Sequence, residues 1–477
     1  MKTFTILLAV VLSVGLAAGA NGGTRTSTLC VGNHAGCYAT IQAALDAAPN
    51  GATIRILAGT YVGGITIVKS VQLQGAGAPD TVINGGGPVV TIGIAGAPTE
   101  PTVSLSGVTI TGGLNTATLA LGGGIYVPAS SAGLGATVRI SDSVISGNRA
   151  APASTAPGCG SHPFGGASGG GIDNAGTMTL DNVSVTSNQA GNSLTSDADG
   201  GGIMNERGAT LTVRNSSATD NTARVTAPIG RFAGGGGIFT RLGSTLTIED
   251  SRVEGNTVNY TTSVSTDDSC SGFAQAGGIK IGGDESTNVT IRDSIITRNT
   301  VTASGSGSDV IAFAGGIDDD GALTVSDSTL SGNRVDATGA AASVEGGALE
   351  ADGSATLSDV RISDNAVTAT ASSGAAVAQG GAVFNAGVSE LRDVAVRDNN
   401  ATANGEAGTV QGGGIWNGTI DEDQSAQLEL RDSSVTRNTL TASGALAKQG
   451  GGLYTTDPVT SRDSVITANL PDNCFGC

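Results

Sequence analysis

From about residue 53 onward, apolar and polar residues alternate in runs too short for helices and about right for short strands. Met178-Thr179-Leu180 and Val183-Ser184-Val185 are typical. The runs recur in a fixed frame. Ten times a Gly-Gly pair, usually extended by a third Gly or an Ala, leads into an aliphatic residue: Ile125, Ile172, Ile203, Ile238, Ile279, Ile317, Leu349, Val383, Ile415 and Leu453. Ten times an Asn follows 16 to 23 residues later: Asn148, Asn188, Asn221, Asn256, Asn299, Asn333, Asn365, Asn399, Asn438 and Asn469. Repeats of this length with strand patterns inside them predict a solenoid, one coil per repeat.

The stretch 169–188 illustrates a coil. Gly169 to Gly171 allow close backbone approach, and Ile172 points inward from a first strand. Asn174 and Gly176 turn into Met178–Leu180, and Asp181-Asn182 turns again into Val183–Val185, which Asn188 closes. Three short strands per coil, with no helix-length segment between them, predict an all-β parallel β-helix. Stacked at ~4.8 Å, roughly a dozen coils make a rod on the order of 60 Å long. The ten asparagines then form a column in which each amide donates to one neighbour and accepts from the other. A structural ladder explains them better than ten binding residues would.

The two ends differ from the repeats. Residues 1–20 read as a secretory signal: Lys2, the apolar stretch Ile6–Leu16, then Ala18-Gly19-Ala20. Residues 21–52 form a cap, with a helix over 40–48 that carries apolar residues at 41, 44, 45 and 48 and stops at Pro49. Laid over the first coil, it hides open strand edges. The β-helix proper is expected over 53–470, beginning with strands at Thr53–Leu57, Ile65–Val68 and Val71–Leu73, followed by a further coil at Val103–Thr111. A short Cys-containing tail, 471–477, completes the chain. A secreted, extracellular protein is expected, without membrane insertion.

Composition narrows the chemistry. Gly is 76 of 477 residues and aromatics are 3%, so the core must be thin and aliphatic. A net charge of -18 lacks the basic face that nucleic acid requires. Six cysteines in a secreted chain predict disulfides: Cys30–Cys37 and Cys474–Cys477 as local bridges, leaving Cys159 and Cys270 for each other. Cys30-x3-His34-x2-Cys37 offers too few ligands for a structural zinc.

Residues 38–85 look like the N-terminal cap and first coil of right-handed parallel β-helix proteins of the pectin-lyase-like superfamily. The two repeat marks resemble those of polymorphic outer-membrane proteins and secreted bacterial β-helix repeat proteins, although Asn221 has Ala218 in the usual aliphatic place. The resemblance implies the fold; the superfamily spans lyases, glycosidases and adhesins, so it implies no single activity. Resemblance to its glycosidases would imply carboxylates with a His and an Arg-x-Lys nearby. The only histidines, His34 and His162, fall outside the coil strands, and no Arg-x-Lys occurs. Resemblance to its pectate lyases would imply an acidic calcium site with a basic residue on the outer face.

If each first-strand aliphatic points in, the next residue points out: Tyr126, Asp173, Met204, Phe239, Lys280, Asp318, Glu350, Phe384, Trp416 and Tyr454. Lys280, Asp318 and Glu350 are the candidates for lyase or hydrolase catalysis, and Asp320 and Asp352 lie two residues further on, on the same side. Asp318, Asp320, Glu350 and Asp352 are also the candidates for weak calcium binding. Phe384, Trp416 and Tyr454 form an aromatic strip on which a sugar could stack. The plainer reading is a solvated face with Lys280 paired to Asp318 and no cofactor. Gly166-Ala167-Ser168-Gly169-Gly170 matches a nucleophile elbow only by letter, and Asp197-Ala198-Asp199-Gly200, Asp267-Asp268 and Asp421-Glu422-Asp423 are each half a calcium loop. Together these favour a secreted, non-catalytic rod contacting polysaccharide or a cell surface. A calcium-assisted polysaccharide lyase or a glycoside hydrolase is the alternative.

Overall fold

In the computed structural model, which describes residues 27–154, 166–226, 231–262, 272–284, 286–307, 309–420, 425–444 and 446–477, the alternating runs become stacked parallel ladders. The coil 203–240 shows the plan. Ile203–Asn205 lies in a first sheet; Thr210–Arg214 and Ser217–Thr219 lie in a second, broader one, bent at Asn215 (φ 48°). These are the three expected strands, and they enclose the body core of Ile203, Leu211, Val213, Ala218 and their counterparts in other coils.

Each regular coil carries two more strands. After Asn221 the chain continues outward as Thr222–Val225 and comes back as Phe232–Gly234. Each of these stacks in register through ten strands of its own sheet among the described residues. Together the two sheets form a fin standing off the body. Its own core is narrow, made from Ala223, Val225, Ala233, Val258, Tyr260, Ala274 and equivalents. What reads in sequence as insertion after each Asn is thus mostly regular sheet.

The two repeat marks meet where the fin joins the body. A Cβ on Gly201 would come within 2.3 Å of the carbonyl carbon of Thr222 and 2.5 Å of the Gly236 oxygen; on Gly202 it would come within 2.8 Å of the Asn221 side chain. Returning and outgoing backbones touch at the Gly201 position, where only glycine fits; at the place of Gly202, Ala348 and Ala382 stand in two other coils. The Asn column lines the same neck. Asn299 Nδ2 donates to Asn333 Oδ1 (3.0 Å) and to the Val253 carbonyl (2.9 Å). Its Oδ1 accepts from both the Nδ2 and the backbone N–H of Asn256. The pattern runs from Asn148 through Asn188, Asn221, Asn365, Asn399 and Asn438 to Asn469, which donates to Asn473.

At the N-terminal end, the helix Ile41–Ala47 is capped by the Thr40 side chain and buries Ile41, Ala44 and Leu45 against the body core. Four strands ahead of residue 102 carried no sequence expectation: Thr28–Val31, ahead of the helix, Gly59–Val62, Thr81–Asn84 and Val90–Ile92. Cys30–Cys37 and Cys474–Cys477 are disulfide-bonded. Cys159, Cys270, the 1–20 segment and the acidic clusters at 267–268 and 421–423 lie outside the described residues. Among the described residues no helix is long and apolar enough to cross a membrane.

Candidate functional site

Strand parity places the column after each aliphatic residue outside the coil, as expected, but not in solvent. The column sits in the corner between the body and the returning face of the fin. Asp173, Met204, Phe239, Lys280, Asp318, Glu350, Phe384 and Trp416 are all buried, none more than 8% exposed; Tyr126 and Tyr454 are half-buried. The expectation of an ordinary solvated face therefore fails, because the fin covers what the coil leaves open.

At the C-terminal end of the corner the aromatic strip stacks on itself. Phe384 and Trp416 lie 4.2 Å apart with rings 1° from parallel; Trp416–Tyr454 and Tyr454–Phe475 continue the stack at 6.3 and 5.2 Å. The opposing fin strand adds a glutamine ladder, Gln379–Gln411–Gln449, which also accepts the Trp416 indole N–H. One face of Phe384 and both faces of Trp416 are thus occupied by neighbouring rings, and both side chains are buried, so these residues hold coils together and do not offer a platform to a sugar.

Lys280, Asp318 and Glu350 do come together, in consecutive rungs. Lys280 Nζ lies 2.5 Å from Asp318 Oδ1 and 2.8 Å from Asp320 Oδ2. Burial lowers the affinity of the Lys280 amine for its proton, but Asp318, Asp320 and Glu350 outweigh that and hold it above the ordinary lysine value. A charged, sequestered ammonium cannot act as the base of a lyase. Glu345, on the facing fin strand, is pushed up to about 8 by burial and by Asp352 and Asp318. Calcium does not fit the donors: Lys280 occupies Asp318 and Asp320, Asp352 is exposed, and no three metal-ligating side chains converge among the described residues. Asp319, the residue between, points into the body. Burial raises its carboxyl to about 7, against the pull of the Gly321 N–H.

An open site lies toward the N-terminal end of the corner, at residues of which only Asp197 and Asp199, as half a calcium loop, carried a functional expectation. A cavity of about 540 Å³ is lined by Phe232, Phe239 and Phe273, by Arg207, Arg231 and Arg241, and by Asp197 and Asp199. Ala198 faces the fin core, so the alternation of its strand turns both flanking aspartates to the corner. Arg241 clamps the cluster: its guanidinium donates to Asp199 and, at 3.1 Å, to Glu206, with its Cζ 5.8 Å from the centre of the Phe239 ring. Phe232 and Phe239 pack at 5.8 Å. A smaller space of about 130 Å³ continues toward Leu121 and Ser168, sharing Asp197, Asp199 and Arg241.

The electrostatics there are unusual. Burial lifts Asp199 to about 6 despite Arg241, and its Oδ1 has no hydrogen-bond partner. Asp173, below it, is raised well above the carboxylate range by burial and by Glu206, while Ser168 and Arg241 pull the other way. A carboxyl raised by burial, a fixed guanidinium and three phenyl rings around one cavity can grip a polar ligand with apolar faces. The sequence did hold part of this signal: Phe239 is in the outward column, and Asp197-Ala198-Asp199-Gly200 is a visible acidic cluster. Arg241, 42 residues beyond Asp199, belongs to no motif.

The stacked parallel coils and the corner define a right-handed parallel β-helix protein. The chain belongs to the right-handed β-helix region family, whose model matches residues 102–349, more than half of its length. No curated protein matches it. Among solved structures it is similar to pectin methylesterase from carrot (11% identity, 64% of this chain and 83% of that one, TM-score 0.28). It is also similar to the Azotobacter vinelandii mannuronan C-5 epimerase AlgE6 A-module (17% identity, 91% and 95%, TM-score 0.29). A third similarity is to the Agl-KA catalytic domain (12% identity, 74% and 60%, TM-score 0.33). These likenesses concern the fold and say nothing of this chain's chemistry.

Proposed function

We propose that this protein is a secreted, non-catalytic binding rod that holds a polysaccharide or cell-surface glycan in the corner between body and fin. The observation that supports this most is the cavity of about 540 Å³ with phenyl rings on both sheets and three arginines around it. Sugar rings present C–H faces to aromatics and hydroxyls to charged hydrogen-bonding groups, and both partners are present at that point. Arg207 and Arg231 give the cavity a positive side, which favours a glycan bearing carboxylate or sulfate groups.

A hydrolase or lyase reading has one observation in its favour. Asp173 and Asp199 hold their protons more tightly than free carboxyls, as a general acid must near neutral pH. The same experiment separates the two. The protein is titrated calorimetrically against neutral and acidic polysaccharides, and each mixture is then assayed for new reducing ends and for the ultraviolet absorbance of an unsaturated product. Binding to an acidic glycan without products is expected. Products that vanish in Asp199→Asn would establish the enzyme reading, and absence of binding to every glycan would overturn both.

A further inference from the structure

Between Phe239 and Phe384, three consecutive rungs of the corner column place Lys280, Asp318 and Glu350 side by side. None is more than 3% exposed. The amine of Lys280 is 2.5 Å from one oxygen of Asp318. The other oxygen, Asp318 Oδ2, and Glu350 Oε2 have no hydrogen-bond partner. A primary amine held against a carboxyl, shut away from water and with a second carboxyl on the next rung, is arranged for condensation rather than for binding anything from outside. We propose that Lys280 and Asp318 join in a side-chain amide that staples two consecutive coils, with Glu350 relaying the proton.

The step balances without any further reagent. The proton between the partners first moves from Nζ to the Asp318 carboxylate, giving a neutral amine and a carboxylic acid. The Nζ lone pair attacks Asp318 Cγ and forms the new C–N bond. Protonated Glu350 gives its proton to the departing hydroxyl and takes one from Nζ, so it ends as it began. The Cγ–O bond breaks and water leaves; nothing is oxidised or reduced. One ammonium and one carboxylate become one amide and one water.

The surroundings pull both ways. Burial pushes Asp318 up to about 7 and raises Glu350 well above the carboxylate range, which eases the transfer, while Asp318, Asp320 and Glu350 hold the Lys280 proton above the ordinary lysine value, which resists it. Condensation also removes a buried ion pair, whose desolvation is costly. Asp320 opposes it: its carboxylate, 2.8 Å from Nζ, stabilises the ammonium that must lose its proton. The exposed Asp352 adds negative charge on the same side. Asp320→Ala should therefore speed the reaction.

The test is the mass of the purified full chain, reduced and denatured, after incubation at neutral pH. The wild type should weigh about 18 Da less than its sequence, the mass of one water lost when the amine attacks. Tryptic fragmentation should yield a branched peptide joining position 280 to position 318, with no cleavage after Lys280. Lys280→Arg should show the full mass, and Glu350→Gln should lose water more slowly. Asp199, Asp320 and Asp352 each precede a glycine, where a succinimide would lose the same mass. Hydroxylamine opens a succinimide and leaves the amide intact. A full-mass wild type, a loss that hydroxylamine reverses, or the same loss in Lys280→Arg would each overturn the proposal. The wild-type measurement decides even if the variants fail to fold.

Discussion

The neck and the corner of this molecule are both buried columns with one residue per coil, yet they are built on opposite principles. In the neck every regular coil supplies Asn, and each amide satisfies its neighbours in the same way. In the corner the same stretch of rod runs Tyr126, Asp173, Met204, Phe239, Lys280, Asp318, Glu350, Phe384, Trp416, Tyr454. Burial normally selects for residues that pack or pair. Uniformity in a buried column therefore reports the demands of the fold. Variation in an equally buried column reports something specific to each level: a stacked end, an amine–carboxyl pair, an open cavity.

Breaking the neck and breaking the stacked end should have the two largest effects. Asn299→Ala removes two donated bonds, leaves the Asn256 N–H without its acceptor and leaves the Asn256 amide only the Ala218 carbonyl. Loss of about 3 kcal/mol is expected, since each buried group left unpaired costs roughly 1–3 kcal/mol. Urea unfolding followed by circular dichroism measures it.

The difference sharpens at the stacked end of the corner. Phe384 is 1% exposed and pressed against Trp416, so Phe384→Ala should cost about 3 kcal/mol, as expected for a large buried side chain. Glycan affinity should be unchanged, which the same unfolding experiment paired with calorimetry would show.

A smaller effect tests the body interior. Asp319 stands in a column where Asn174, Asn205, Asn385 and Asn417 serve other coils. Its folded-state value of about 7 lies above the value of about 3.9 for an unfolded chain. The folded state thus binds the extra proton, and stability falls as pH rises from about 4 through about 7. Asp319→Asn should be worth about 1–2 kcal/mol at pH 8 and close to nothing at pH 4. Denaturant midpoints at the two pH values would reveal that slope, and a variant equally stabilised at both would rule it out.

Much of the neck was legible in sequence. Glycine has no substitute where two backbones touch, and only an amide both donates and accepts, so both marks survive in every repeat. The fin was less legible. Thr222–Val225 and Phe232–Gly234 are short, rich in Ala and separated by loops of varying length, so their alternation does not stand out from an insertion. That omission concealed the burial of the corner: parity says which residues leave the coil, but not what stands outside it. Lys280 and Asp318 were visible because they hold equivalent places in the repeat. The cavity was not, because Asp199 and Phe232 stand on neighbouring strands of the fin while Arg241 follows a body strand, Ile238–Thr240, in the next coil.

Affinity for an acidic polysaccharide, compared by calorimetry across wild type, Phe239→Ala, Arg231→Ala and Phe384→Ala, tests most directly the claim that variation within the corner marks a binding level. Phe239→Ala and Arg231→Ala should each weaken binding about tenfold, the order expected for losing one aromatic or charged contact worth about 1.4 kcal/mol, while Phe384→Ala binds like wild type. Equal affinities in all four proteins, or loss at Phe384 with none at Phe239, would contradict it.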